Sequence, residues 1–272
     1  MAEDGARVAM LGDVQGRLDA LNRALASLGV RPGRTVAEES WPADVTVVQV
    51  GDLVHRGPAS DAVVATADRH LRESGRWIQL LGNHEAAYLP GGRWVVPGHE
   101  QLAAETVATI KRWYEDDVAQ VAVAHDGMLV THAGLTARRW HALGEPATAE
   151  AAAQALNAQA HFDPYEAFRA GWVITGTTAA DPGVIWTHPT VELYPGWQAE
   201  PDVPFGQVHG HMSAFRWHTG AWDPAMPAEL AREATVDVAA HHLTVTIGGR
   251  PFVGIDPDLG PRAPGNLVPL VP

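Results

Sequence analysis

Five times along this chain an apolar, largely β-branched run ends in a short segment carrying metal-ligating side chains. VAML precedes GDVQG (12–16), VTVVQV precedes GDLVHRG (51–57), WIQLL precedes GNHE (82–85), MLV precedes THAG (131–134) and FGQV precedes HGH (209–211). Runs of this kind read as buried strands, so each polar group sits where a strand surfaces. In open α/β sheets the carboxyl ends of strands converge on one crevice, and ligands far apart in sequence then meet there.

The spacing between these segments supplies helices. LDALNRALASL (18–28) places leucines 18, 21, 25 and 28 on one face. A strand over about 6–12 precedes it, a strand at 45–50 leads to a helix over 59–73 that Ser60 and Asp61 can cap, and a strand at 77–81 ends at Asn83. A helix is expected over 100–114. Two apolar runs then flank Asp126-Gly127, a hairpin signal. Residues 136–170 read as helical and Ala-rich, 171–206 as loop, 207–211 as a short strand, and 234–256 as antiparallel strands with the last turn at Gly248-Gly249. A βαβαβ half is followed by a mostly antiparallel half. With 272 residues and 46% hydrophobic content, the chain reads as one domain over 1–272, with 144–206 as a cap insertion laid over the site.

Composition removes alternatives. There is no cysteine, which excludes thiolate zinc sites, iron–sulfur clusters and cysteine nucleophiles. MAEDGARVAML has early acids and no long apolar core, so neither a secretory signal nor a membrane anchor is expected and the cytoplasm is the default location. A net charge of −13 disfavours non-specific nucleic-acid binding and anionic membranes. Lys111 is the sole lysine among 19 basic residues, so a side-chain phosphate clamp would be guanidinium.

Asp13 and Asp52 are hard oxygen donors, Asn83 offers an amide oxygen, and His132 and His211 offer imidazole nitrogens. A mixed O/N shell suits Mn²⁺, Fe, Zn²⁺ or Co²⁺ better than Ca²⁺. A carboxylate can bridge two such ions ~3.5–4 Å apart.

The five segments resemble the pattern D-x-H-G, G-D-x-x-D-R-G, G-N-H-E, H-A-G and G-H of the calcineurin-like metallophosphoesterases, in the phosphoprotein-phosphatase branch that also holds bacterial small-molecule and dinucleoside polyphosphate hydrolases. The resemblance implies a four-layer αββα sandwich with two mixed β-sheets and two divalent ions, manganese first among the candidates. It implies Asp52 as the bridging ligand, Asp13 at the first metal, and Asn83, His132 and His211 at the second. It further implies His84 as the acid that protonates the leaving group and Arg56 as a phosphate contact. IWTHP (185–189) and GRPFVGID (249–256) are weaker echoes, of a Trp-containing turn and of a closing strand ending in Asp.

Two positions depart from the pattern. Gln15 stands where the family has a metal-binding histidine, and a neutral amide is the weaker donor. His55 stands where the family has the carboxylate that orients the catalytic imidazole, so His84 lacks that partner. The expected function is a metal-dependent phosphoesterase acting on a phosphorylated small molecule. A protein serine/threonine phosphatase acting on phosphoproteins and a non-catalytic binding homologue are the alternatives.

The remaining candidates divide between roles. A dinucleotide site at GDVQG lacks the G-x-G-x-x-G spacing. His209 is either a ligand beside His211 or a core residue. His241 and His242 read as surface, and His99, His125, His141, His161 and His218 match no motif. Trp172, Trp186 and Trp197 are either packing residues or a stacking surface for an aromatic substrate. The loops at 86–99 and 144–206 are the expected carriers of specificity.

Overall fold

A computed structural model of the protein describes residues 7–31, 40–92, 100–259 and 266–272. Residues 1–6, His99 and the 93–99 part of the 86–99 loop lie outside the described residues.

The first half alternates strand and helix as its hydrophobic pattern requires: β1 (Arg7–Leu11), α1 (Leu18–Ser27), β2 (Val45–Gln49), α2 (Ser60–Glu73), β3 (Trp77–Leu80), the single turn α3 (Asn83–Ala86), α4 (Ala104–Glu115) and β4 (Ala119–Gln120). These strands form one sheet in the order β1-β2-β3-β4, every pair parallel, with an antiparallel bridge between Met10 and Leu270 on the β1 edge. Parallel pairing puts the carboxyl ends of β1, β2 and β3 on one edge.

The second half continues with β5 (Ala122–His125), β6 (Met128–Thr131), α5 (Ala137–Ala142), α6 (Ala149–Phe162), α7 (Pro164–Ala167), α8 (Trp172–Thr175), a π-helical turn Pro189–Leu193, α9 (Tyr194–Gln198) and β7 (Gly206–His209). It closes with the hairpin β8 (Phe215–Arg216) and β9 (Ala221–Trp222), then α10 (Ala228–Glu233), β10 (Thr235–Asp237), β11 (His242–Ile247) and β12 (Arg250–Gly254). Six of these strands make a mixed sheet in the order β10-β11-β12-β7-β6-β5. Within it β6, β7 and β12 run parallel, so their carboxyl ends also share an edge. Asp126 and Gly127 (φ 48° and 70°) and Gly248 and Gly249 (φ 56° and 73°) turn the two hairpins with left-handed backbone at both central residues.

Strand alternation builds the layers. Met10, Val48 and Leu80 from the first sheet meet Val130, Val208 and Val253 from the second in a dry layer between the sheets. Their neighbours Ala9, Leu11, Val45 and Val47 point the other way, toward α1, α2 and α4. On the outer face of the second sheet, Leu243, Val245 and Phe252 pack under Tyr194, Trp197 and Leu230. Helices, sheet, sheet and helices therefore stack in four layers. Each fully buried aliphatic side chain contributes ~1.5–3 kcal/mol relative to an exposed one. Among the described residues no helix is long and apolar enough to cross a membrane.

Several local expectations are corrected. α2 starts without a side-chain cap. Ser60 instead accepts from the His55 amide at 2.9 Å, and Asp61 accepts from Ala103 N and Thr106 Oγ1, tying the start of α4 to α2. The helical stretch at 136–170 is three helices, broken at Gly144 and at the Asp163-Pro164 pair. The loop at 171–206 contains three short helical turns. The 144–206 segment packs α6 on β5 and β6 and α9 on β11, while Val173 and Trp186 reach the site.

Candidate metal centre

The loops after β1, β2 and β7 are held in an unusual backbone. Gln15, Asp52, His55, Arg56 and His211 all have positive φ, between 50° and 71°, a region that costs a non-glycine residue about 1 kcal/mol or more. Hydrogen bonds overdetermine them. Val14 N and Gln15 N both donate to Asp52 O at 3.0 and 2.8 Å, and Gly16 N donates to Leu53 O at 2.7 Å. From below, the buried Gln49 amide donates to Gly12 O and Gly51 O and accepts from Gly51 N, fixing the ends of β1 and β2 together. Glu85 adds a second brace: its carboxylate accepts from Gly82 N, Asp52 N, Leu53 N and Val54 N at 2.8–3.3 Å. Burial, and then the Asp52 charge, push Glu85 up to about 7, against the pull of those amides.

The braced loops bring the predicted ligands together. Asp52, His132 and His211 each offer a ligand atom within 4.8 Å of the others, all three buried. His132 Nδ1 lies 3.0 Å from Val50 O, a pure acceptor, so this nitrogen carries the proton. Its Nε2 is then a bare lone pair, 3.0 Å from Asn83 Oδ1 and 3.4 Å from Asp52 Oδ1. Burial holds His132 down at about 4, so a second proton is not taken up near neutrality. His132 Nε2, Asn83 Oδ1 and Asp52 Oδ1 thus face one another as acceptors, an arrangement that a cation resolves. His211 completes this side. Its amide donates to Asp13 Oδ1 at 3.0 Å while its buried Nε2 has no hydrogen-bond partner.

The other side is rich in oxygen. Asp13 Oδ2 and both amide atoms of Gln15 are buried without a partner. Burial, then the charges of Asp256 and Asp52, hold Asp13 well above the ordinary carboxylate range. Desolvation likewise pushes Asp52 and Asp256 up to about 7. Buried carboxylates and an orphaned amide are the donor set of a divalent-cation site, and among the described groups the exposed Arg56 is the guanidinium whose field offsets all three carboxylates.

His84 lies alongside. Its amide donates to Asp52 Oδ1 at 3.0 Å and its Nε2 is 3.7 Å from Asp52 Oδ2. In place of the family's carboxylate, His84 Nδ1 is 3.0 Å from His55 Nδ1 and 3.2 Å from Val54 O, and His55 Nε2 is 2.8 Å from Tyr88 OH. An imidazole lone pair and a carbonyl therefore stand where a carboxylate would accept the Nδ1 proton. That leaves Nε2 of His84 on the side away from the pair, 3.7 Å from Asp52 Oδ2.

A cleft of about 380 Å³ opens over these groups, lined by Arg56, Asn83, His84, Trp186, His211 and Asp256, with Val173 on one lip and Phe215, Arg216 and His218 of the β8–β9 hairpin region on another. His218, which matches no motif, is therefore a cleft residue. Asp256, Tyr88 and Arg216 were also missed, and only Asp256 had a signal, the strand echo GRPFVGID. His209 resolves to the core. It accepts from Tyr194 OH at Nε2 (3.0 Å) and donates from Nδ1 to Gly210 O (3.1 Å), and burial holds it near 4. His241 and His242 are half-buried rather than surface residues: His241 stacks on Trp217 at 4.7 Å, and His242 Nε2 bonds Val268 O. Trp197 is fully buried, its Nε1 donating to Leu135 O, and Trp172 is partly exposed against His188.

The sequence model of the calcineurin-like phosphoesterases matches residues 6–243. Two curated proteins named symmetrical bis(5'-nucleosyl)-tetraphosphatase match over 135 residues: one from Acidovorax ebreus (strain TPSY) at 34% identity, one from Acidovorax sp. (strain JS42) at 36%. Each alignment covers 46% of this chain and 43% of the relative, so the chain spans less than half the length of these relatives. Among solved structures, a cold-active protein-tyrosine phosphatase from a psychrophilic Shewanella sp. superposes with a TM-score of 0.52 at 16% identity, over 92% of this chain and 78% of that one. At that identity the likeness is one of fold.

Proposed function

The chain belongs to the calcineurin-like phosphoesterases, and from that membership we propose that it is a metal-dependent hydrolase of a phosphoanhydride or phosphomonoester in a small molecule, with nucleoside polyphosphates the favoured class. The observation that carries this is the convergence of buried acceptors from five strand ends, with Asp13 Oδ2, Gln15 and His211 Nε2 left without protein partners among the described residues. Asp13, Gln15 and Asp52 would hold one divalent ion and Asp52, Asn83, His132 and His211 a second, with Mn²⁺ the favoured metal. When bound, such an ion pair polarises a phosphoryl oxygen and lowers the pKa of water.

The protein's own groups do the rest. Arg56, exposed at the cleft, neutralises phosphate oxygens in a bidentate geometry that lysine would not reproduce. As an imidazolium, His84 would give its Nε2 proton to the departing oxygen and keep the Nδ1 proton toward His55 and Val54 O, with His55 held in turn by Tyr88. The cleft volume lies within the range of small-molecule sites, and the names of the two Acidovorax relatives point to nucleotides. The test is turnover by the purified chain, with Mn²⁺ or with EDTA, on dinucleoside polyphosphates, p-nitrophenyl phosphate and phosphopeptides. We expect Mn²⁺-dependent cleavage of the first class that Asp52→Asn abolishes. Undiminished turnover in EDTA, or cleavage of phosphopeptides alone, refutes the reading.

A further inference from the structure

The carboxyl end of β12 delivers an aspartate that none of the five motifs contains. β12 runs parallel to β7 with Gly254 opposite His209, and Ile255 N donates to His209 O at 2.8 Å, so Asp256 emerges beside the Gly210-His211 turn. On the other side the backbone closes against β1: a Cβ on Gly12 would lie 2.0 Å from Ile255 O. Residues 12 and 255 touch, and the next residue of each is an aspartate. The His211 amide donates to Asp13 Oδ1 at 3.0 Å, and Asp256 lines the cleft with His211, so both aspartates border the Gly210-His211 turn. Asp256 is 5% exposed, its Oδ1 accepts from Asp258 N at 2.9 Å, and it lines the cleft with Asn83 and His211.

An aspartate cluster alone is no site, but Gln15 is a second and independent observation. It is fully buried, held at φ 50°, and neither its oxygen nor its nitrogen finds a partner, although natural proteins satisfy nearly all such groups. A neutral amide here leaves the first metal position short of one strong donor. Asp256, a buried carboxylate that shares the exposed Arg56 guanidinium with Asp13 and Asp52, is otherwise short of compensating charge.

We propose that Asp256 supplies that donor, making the first position an all-oxygen site of Asp13, Gln15, Asp52 and Asp256 that takes a hard divalent ion, Mg²⁺ or Mn²⁺. The second position, with His132 and His211, keeps the nitrogen donors that favour Zn²⁺, Fe or Co²⁺. The two positions therefore differ in metal preference. This rests on the two-metal reading above.

The test is Mn²⁺ binding to the metal-stripped full chain, followed by the EPR signal of free Mn²⁺, for the native protein and Asp256→Asn, with thermal melts of both in EDTA. Two Mn²⁺ are expected in the native chain. In Asp256→Asn one site weakens by at least ~10-fold and the other is unchanged. In EDTA the variant melts no lower than the native chain, because asparagine keeps the Asp258 amide bond and removes a buried charge. Added Zn²⁺ should displace Mn²⁺ from the site that Asp256→Asn spares before it displaces it from the other. Native-like affinity at both sites in Asp256→Asn, or a lower melting temperature in EDTA, overturns the assignment and leaves the two-metal reading standing. A native chain that binds no divalent ion overturns both.

Discussion

Gly210 is the point at which the packing of the two sheets and the geometry of the metal centre depend on one hydrogen atom. A Cβ at this position would lie 2.3 Å from Asp13 Oδ1 and 2.9 Å from Val50 Cγ2. Ordinary contact begins near 3.4 Å, so Gly210→Ala leaves the methyl about 1.1 Å too close to the carboxylate. Neither neighbour can yield cheaply: Asp13 is fully buried and bonded to the His211 amide, and Val50 is in the layer between the sheets. The φ of Gly210 is not positive, so alanine meets no backbone penalty and the effect is steric alone. Overpacking of this size costs ~1–3 kcal/mol, which for a domain of this length lowers the melting temperature by several degrees. A ligand displaced by ~1 Å costs on the order of 10²-fold in turnover. The assays are turnover at saturating Mn²⁺, Mn²⁺ affinity and a thermal melt, with Gly196→Ala as control. Gly196 lies inside α9 with its nearest prospective neighbour at 3.9 Å, so alanine there should leave activity unchanged and stabilise by ~0.5–1 kcal/mol. Native turnover and metal affinity in Gly210→Ala would refute the placement of Asp13 at the metal centre.

Two further outcomes follow from residues outside the shared pattern. Gln15→His should tighten the weaker of the two metal positions by ~10-fold, about 1.4 kcal/mol, and shift its preference toward Zn²⁺ and Co²⁺; an isotherm identical to the native one counts against Gln15 as a ligand. His70, stacked on Trp77 and edge-on to Trp41, is held down at about 4 mainly by burial. The unfolded chain protonates this ring below about 6.5 and the folded chain does not until about 4, so stability is lost as pH falls through that window, on the order of 1 kcal/mol by pH 5 once solvent screening is allowed for. Urea denaturation at pH 7 and pH 5 should show a smaller loss in His70→Phe than in the native chain; equal losses refute it.

What the sequence disclosed was local. Each motif is a strand and the few residues after it, and the hydrophobic run that predicts the strand also fixes where its polar end emerges. The two hairpin turns were legible for the same reason, since Asp126-Gly127 and Gly248-Gly249 carry the only requirement, left-handed backbone, within the turn itself. The capping roles of Ser60 and Asp61 went astray because their partners, His55 N, Glu100, Ala103 N and Thr106, are chosen by tertiary packing. The turns between 171 and 198 are four or five residues long, too short to show a helical period. His55 was read as the absence of a carboxylate, whereas its two ring nitrogens span from His84 to Tyr88, a residue whose position no spacing announces.

The pair His209 and His211 shows where strand logic stops and loop geometry takes over. Residues i and i+2 of a regular strand share a face, so an H-x-H pair at a strand end would present two imidazoles to one ion. β7 ends at His209, and His211 has φ 67°. That reversal turns its amide to Asp13 and its ring to His132, 5.1 Å between centroids, while His209 stays with Tyr194 in the second core. The left-handed backbone at His211 itself is thus what commits one histidine to the metal centre and leaves the other to packing. The same device recurs at Gln15 and Asp52, each left-handed just past its strand. Backbone strain at three strand ends, held at β1 and β2 by the Gln49 and Glu85 braces and at β7 by the His211 amide bond to Asp13, is how a sheet edge that would otherwise display ligands in alternating directions is made to aim them at one point.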